Sequence, residues 1–402
     1  AAAAAGAPLD GAATAGDATL DALHAVLELC ALSPETFAPQ WATAVELFFR
    51  SLDDVAAPAA RRVATLFAHV LNNTKFSWPY WDYWAAVADE DDGDAQKRFV
   101  AGVFDVLARL SYLDRLKTAL PVGLHALLPE GCADAAPDDS AAATLAKDAD
   151  WGLLAKVLDP PEDGDPPSGA LADAFAPLDD AAKAAAVLSA IAARGATSLT
   201  HLLAPLDDAA LGLALRNLCY DDAPVETAAL DAVKRVLGGA PQLVVVAADA
   251  LARRGVVRPS ALAAWALEGA NLSASFLPLE LCEIAADRAV DTYAASFAAA
   301  EAGVGDGGAA PDETHPLVSP ARDEAAETMS VVVSKLSALA CGSGADAALG
   351  GLRDVARTCD LASRGLLPPG RRSAPSRALP GLLDAASFSD ASAEVKAALG
   401  LD

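Results

Sequence analysis

Trp78, Trp81 and Trp84 recur at three-residue spacing, with Tyr80 and Tyr83 between them, in the segment HVLNNTKFSWPYWDYW at positions 69–84. Aromatic residues are only 5% of the chain, so this density is a local exception. Such rings could stack on nucleic-acid bases, but stacking platforms come with basic flanks. Here Lys75 is the one nearby cation before an acidic run begins at Asp89. The favoured reading is packing at a hairpin junction, with Pro79 at a helix start and Trp81 and Trp84 on one helix face.

The other constellations carry less chemistry. Gly303-Val304-Gly305-Asp306-Gly307-Gly308 fits GxGxxG, but a dinucleotide site needs a strand before it and a helix after it. A helix-length pattern precedes it and a loop follows, so it reads as a linker. In the run Asp89-Glu90-Asp91-Asp92-Gly93-Asp94 the acids miss the alternating positions of a calcium loop, and no Glu closes it. His24, His69, His125, His201 and His315 stand apart from one another and from the cysteines, without an HxxxH or HExxH pair. No Ser/His/Asp or Cys/His system can be assembled from them. The expectation is a non-enzyme with no catalytic residues, no metal and no cofactor.

The elements around these residues read as helices. Leu20, Leu23, Leu27 and Cys30 form one stripe over Asp17–Cys30, and Phe99, Val103, Val106, Leu107 and Leu110 form another over Gln96–Leu110. Ser33-Pro34-Glu35 predicts a helix start, with Ser as cap and Pro at the first position. Further helices are predicted at about 56–71, 141–158, 179–194, 208–220, 224–238, 241–254, 259–269, 274–298, 322–340, 345–362 and 391–399. The triplets Val244–Val246 and Val331–Val333 sit inside helix-length windows, and sustained strand alternation is absent. Short connectors between such helices give the rhythm of stacked helical hairpins, an all-α solenoid of the HEAT/ARM kind with degenerate repeats.

At 402 residues the chain suggests two domains. The polar stretch at 129–140 marks a junction, and 301–321 reads as a flexible insertion in the second domain. The acidic, Pro-rich 159–169 and the tail 368–380 read as loops. A formal charge of −26 disfavours direct binding to nucleic acid or anionic lipid and favours basic partners. No strongly apolar stretch approaches the length of a membrane span. The six cysteines are scattered without a CxxC pair, as expected in a reducing compartment, and the two Asn-glycosylation matches read as chance.

Downstream of the aromatic segment comes RLSYLDRL at 109–116. In this order the two segments resemble the large subunit of the nuclear cap-binding complex, a family of MIF4G-like helical domains. His69, Leu71, Asn73, Phe76, Trp78, Trp81 and Trp84 carry the first motif, and Arg109, Leu110, Ser111 and Tyr112 the second. A weaker similarity follows in the right order, from Pro241-Gln242-Leu243 with Asp249 to Ala261–Trp265, and then from Leu383-Asp384 to Phe388.

The resemblance implies that residues 1–130 correspond to the family's second MIF4G-like domain and 131–402 to its third. A counterpart of the first domain and an initiating Met are both absent, the pattern expected of a fragment. By resemblance the chain is a nuclear scaffold that can shuttle to the cytoplasm. It forms a heterodimer with a small RNA-recognition-motif subunit, which itself holds the methylated guanine cap, so capped RNA is bound indirectly. It serves as a platform for splicing, 3′-processing, export and nonsense-mediated decay factors. The family's long charged coiled coil has only the 301–321 stretch as its counterpart, which puts that element's role in doubt here. The alternative is another MIF4G-type scaffold, for translation initiation or decay, that docks an RNA helicase. An enzyme on a helical-repeat fold is the third and weakest expectation.

Overall fold

The computed structural model describes residues 15–111, 113–131, 142, 145, 150–160, 167–196, 198–272, 274–303, 312, 314–339, 348, 351 and 352. Among these residues the secondary structure is helical throughout, with no strand. Consecutive helices pack on one another in the manner of an α-solenoid, as the periodicity predicts. They fall into two compact units.

The first unit holds the described residues of 1–129, 269–279 and 289–402. Its leading helices are α1 (Ala15–Leu32), α2 (Phe37–Arg50), α3 (Ala57–Asn73), α4 (Trp81–Trp84), α5 (Ala95–Leu110) and α6 (Leu113–Ala119). Short 3-10 turns occur at Leu52–Asp54, Ala85–Asp89 and Val122–Leu127. Helix α3 lies against both α1 and α5, burying Ala60, Ala64, Phe67, Ala68 and Leu71 along one stripe. The small alanine side chains on that stripe leave room for close packing against the neighbouring helices.

Two predicted starts shift. Ser33-Pro34-Glu35 forms a turn, in which the Ser33 carbonyl accepts from the Thr36 and Phe37 amides, and α2 begins at Phe37 with Thr36 as cap. Pro79 likewise sits in a turn, and α4 begins two residues later at Trp81. In both cases proline's fixed φ suits a turn as well as a helix entry. The expected 301–321 loop is shorter at each end. The Leu277–Ala302 helix runs on through alanines, and Ser319–Leu339 starts with Pro320 in its first turn. The middle of that loop, most of the 129–140 and 345–362 stretches, the tail and the 391–399 helix lie outside the described residues, as does the Leu383–Phe388 match.

The segment 269–279 is locked onto α5. Phe276 is buried against Gly102, where an added Cβ would lie 2.7 Å from Cδ2 of the ring. The Arg98 guanidinium, one turn earlier, sits 5.4 Å from the same ring, and its Nη1 donates to the Leu272 carbonyl at 3.5 Å. Burial pushes the Arg98 pKa down, so this cation is held at a desolvation cost. Gly102→Val should force the ring aside and cost about 1–3 kcal/mol in a urea melt. Phe276→Ala in the same background should make Gly102→Val nearly neutral.

The second unit holds the described residues of 130–268 and 280–288. The Asp180–Gly195 and Ala223–Leu237 helices form its centre, burying Val187, Ile191, Leu230 and Val233 among alanines. Aspartates begin helix after helix. Asp150, Asp179, Asp208 and Asp222 accept from backbone amides three residues on, as Asp94 does at the start of α5. Each such cap contributes about 1 kcal/mol, and its charge also favours the positive helix end. Part of the chain's acidity is therefore architectural.

Candidate functional site

The aromatic segment closes into the core of the first unit. Trp84 is fully buried and stacks on Phe49 of α2, ring centroids 4.1 Å apart and planes 17° apart. Phe67 of α3 meets Trp78 edge-on at 4.6 Å, and Trp84 lies 5.4 Å from Trp78 and 5.8 Å from Trp81. Helix α5 supplies Phe99 against Trp84 and Phe104 against Trp81. Trp81 and Trp84 thus do turn to one side, as their spacing predicts. All three tryptophans are buried, so none offers a free face to a base.

Polar atoms fix this block. The Trp84 indole N–H donates to Oε2 of Glu46 at 2.8 Å, while Oε1 of the same carboxylate accepts from Arg50 Nε at 2.8 Å. Glu46 is itself buried at 4% exposure, which makes it the key polar residue of the site. Sequence reading missed it, although the signal was present: an acid on the stripe Ala42, Val45, Glu46, Phe49. Trp81 donates to the Phe76 carbonyl at 3.0 Å. The indole nitrogen of Trp78 is buried and has no acceptor among the described residues.

The turn between α3 and α4 is left-handed at two successive residues, Lys75 with φ 57° and Phe76 with φ 60°. This reverses the chain sharply enough for the Phe76 amide to donate to the Leu71 carbonyl at 2.8 Å and for Phe76 to be buried. Asn73 is exposed, and its amide donates to the His69 carbonyl at 2.8 Å, closing the last turn of α3.

The two sequence motifs meet here. The Arg115 guanidinium of RLSYLDRL lies 5.2 Å from the Phe76 ring. Arg109 stands close enough to half-buried His69 for its charge to act on the imidazole. Ser111 caps the end of α5, its amide donating to the Leu107 carbonyl, and its buried hydroxyl has no partner among the described residues. Tyr112 lies outside the described residues.

Pro241 and Trp265 belong to the second unit. Pro241 opens the Pro241–Arg253 helix. Trp265 is half-buried, donates to Asp231 Oδ1 at 2.8 Å and carries Lys234 over its ring at 5.5 Å.

Burial first, and the Arg109 charge second, hold the His69 pKa below its ordinary value of 6.5. In this state the unfolded chain binds a proton more readily than the folded one. The contribution of His69 is therefore complete above pH 6.5 and is lost as pH falls towards its depressed folded value. His69→Gln should flatten the stability-versus-pH curve below about pH 6.5 relative to the parent, measured by urea melts at a series of pH values.

Among the described residues no group of three or more His, Cys, Asp or Glu is placed to hold a metal ion. No helix among them is long and apolar enough to cross a membrane. The acidic run is tied down by Lys97, whose Nζ donates to the Glu90 carbonyl at 2.7 Å and to Asp92 at 3.0 Å.

Residues 17–122, which contain the whole aromatic block, match the MIF4G-like family. The chain is 26% identical over 257 residues to nuclear cap-binding protein subunit 1 of Oryza sativa subsp. japonica, covering 61% of this chain and 29% of that protein. It is 31% identical over 104 residues to the protein of the same name from Homo sapiens, covering 26% of this chain and 13% of that one. The Arabidopsis thaliana counterpart is 32% identical over 106 residues, 26% of this chain and 12% of its own length. The chain thus spans less than a third of the curated relatives it matches. The resemblance carried by residues 69–116 is matched at family level.

Proposed function

We propose, from the MIF4G-like character of residues 17–122, that this chain is a non-catalytic scaffold of the type of the nuclear cap-binding complex large subunit. It grips and stabilises a small RNA-recognition-motif subunit, and that subunit supplies the rings around the methylated guanine. Capped RNA reaches the chain only through it. The scaffold works in the nucleus, shuttles to the cytoplasm, and offers its helices to splicing, 3′-processing, export and nonsense-mediated decay factors.

The observation that best supports this reading is the closure of the aromatic block. Trp78, Trp81 and Trp84 are spent on packing, which supports assigning cap stacking to the small subunit. The charge of −26 points the same way, since it opposes direct binding of RNA and suits a basic partner. Co-elution with a small RNA-recognition-motif subunit, and a rise in that subunit's affinity for a cap analogue, are the expected results. A folded chain that forms no such complex overturns the proposal.

The second reading is another MIF4G-type scaffold that docks an RNA helicase. It is favoured by the fact that the MIF4G-like match, rather than any cap-specific feature, covers residues 17–122. Helicase binding without any need for a small cap-binding subunit distinguishes it.

A further inference from the structure

On the outer side of the aromatic block, Arg50 is held by a carboxylate and an aromatic ring at once. Its Nε donates to Glu46 Oε1, Glu46 is fixed from below by the Trp84 indole, and the guanidinium lies 5.4 Å over the Tyr83 ring. The side chain is nonetheless 58% exposed. Among the described residues its terminal amino groups make no hydrogen bond or ion pair. Leu47, one helical turn before Arg50 on the same face of α2, is 62% exposed, and Tyr83 is 53% exposed. A leucine, a tyrosine and an oriented arginine thus stand together on the surface, and Tyr and Arg are the residues that dominate binding energy at interfaces.

We propose that Leu47, Arg50 and Tyr83 form a docking surface for a protein segment that presents one carboxylate beside a large apolar side chain. The occupant follows from charge and shape. The free end of the guanidinium is a planar pair of donors that matches a carboxylate bidentately. Because Glu46 and Tyr83 already fix its rotamer, little side-chain entropy is lost on binding. Leu47 supplies apolar contact within reach of the same short segment. The chain's charge of −26 repels a polyacidic tract or a nucleic-acid backbone, so a single acid in a neutral or basic context is selected. The surface is independent of the small-subunit reading, because it needs neither that subunit nor a cap.

Short random peptides displayed on phage, panned against the full chain alone, test this. Enriched sequences should share one Asp or Glu next to Leu, Ile, Phe or Met. Synthetic versions, titrated by fluorescence anisotropy, should lose at least about tenfold in affinity with Leu47→Ser and with Arg50→Lys. Replacing the peptide acid by its amide should cost as much. Leu47→Ser leaves Glu46, Arg50 and Trp84 in place, so it decides the matter even if a change at Arg50 disturbs folding. Panning that enriches no sequence, enriched peptides without a carboxylate, or equal affinity for Leu47→Ser each overturn the proposal. So does an RNA oligonucleotide that binds the parent chain but not the Arg50→Lys variant.

Discussion

Trp84→Ala should lower stability by about 3–5 kcal/mol, seen as a large fall in the urea midpoint of the first unit. Two losses combine. Removing the indole leaves a cavity between Phe49, Phe67 and Trp78, rings that are too well packed on the other sides to collapse into it. It also takes the donor from Oε2 of the buried Glu46, leaving an under-satisfied carboxylate in an apolar block. Trp84→Phe separates the two, keeping a stacked ring while deleting the N–H, and should cost about 1–3 kcal/mol. Adding Glu46→Gln to Trp84→Phe should then recover part of that cost, because a neutral amide is less expensive to leave without its partner. If Trp84→Phe is as damaging as Trp84→Ala, the hydrogen bond to Glu46 matters more than the ring packing.

Glu226→Ala should be comparably damaging, about 3–5 kcal/mol, in the second unit. Glu226 is fully buried and clamps the connector before the Pro259–Leu267 helix. Its Oε1 accepts the Arg258 amide at 2.6 Å, and its two oxygens accept from Arg258 Nε at 3.2 Å and Nη2 at 2.9 Å. Arg258 also pairs with Asp221 at 3.0 Å, a residue whose φ of 67° places it in the left-handed region. The effects should be asymmetric. Arg258→Met strands a buried carboxylate, whereas Glu226→Ala leaves an arginine that still has Asp221. Arg258→Met should therefore cost at least as much, and the double variant less than the sum, a coupling of about 0.5–3 kcal/mol in a double-mutant cycle. Additive costs would mean that the pair does not act as a unit.

Glu46 and Glu226 also show where sequence reading stopped. Both lie on apolar stripes, Ala42/Val45/Phe49 and Val225/Ala229/Leu230, a local signal that sequence reading left unused. What it could not supply was the partner. Trp84 is 38 residues from Glu46, and Arg258 is 32 from Glu226. Helix existence, by contrast, was legible because a 3.6-residue period is local: Phe99, Val103, Val106 and Leu107 of the α5 stripe are buried, and in α1 Leu23 is buried with Leu27 and Cys30 packed beside it. Short elements such as Ala170–Phe175, and Leu199–Asp207 with Pro205 inside it, went unpredicted. Six to nine residues hold too little periodicity, and tertiary packing decides them. The docking of 269–279 on α5 through Phe276 and Gly102 was equally invisible, since nothing in either segment names the other.

The aromatic segment lies between these cases. Charge and spacing favour packing over base stacking, the three tryptophans are buried, and the order of the two motifs carries the family resemblance. The left-handed pair Lys75 and Phe76, which makes the packing possible, uses residues that do not announce that conformation.

A titration of the folded chain with a methylated cap analogue, followed by intrinsic tryptophan fluorescence, tests the central claim most directly. The chain alone should give no saturable quenching, because Trp78, Trp81 and Trp84 of the aromatic block are buried in packing. Added to a small RNA-recognition-motif subunit, the chain should produce a complex that binds the analogue more tightly than the subunit does alone. Saturable quenching of the chain by itself, abolished by changing Trp78 or Trp81 in a variant that still folds, would contradict the account.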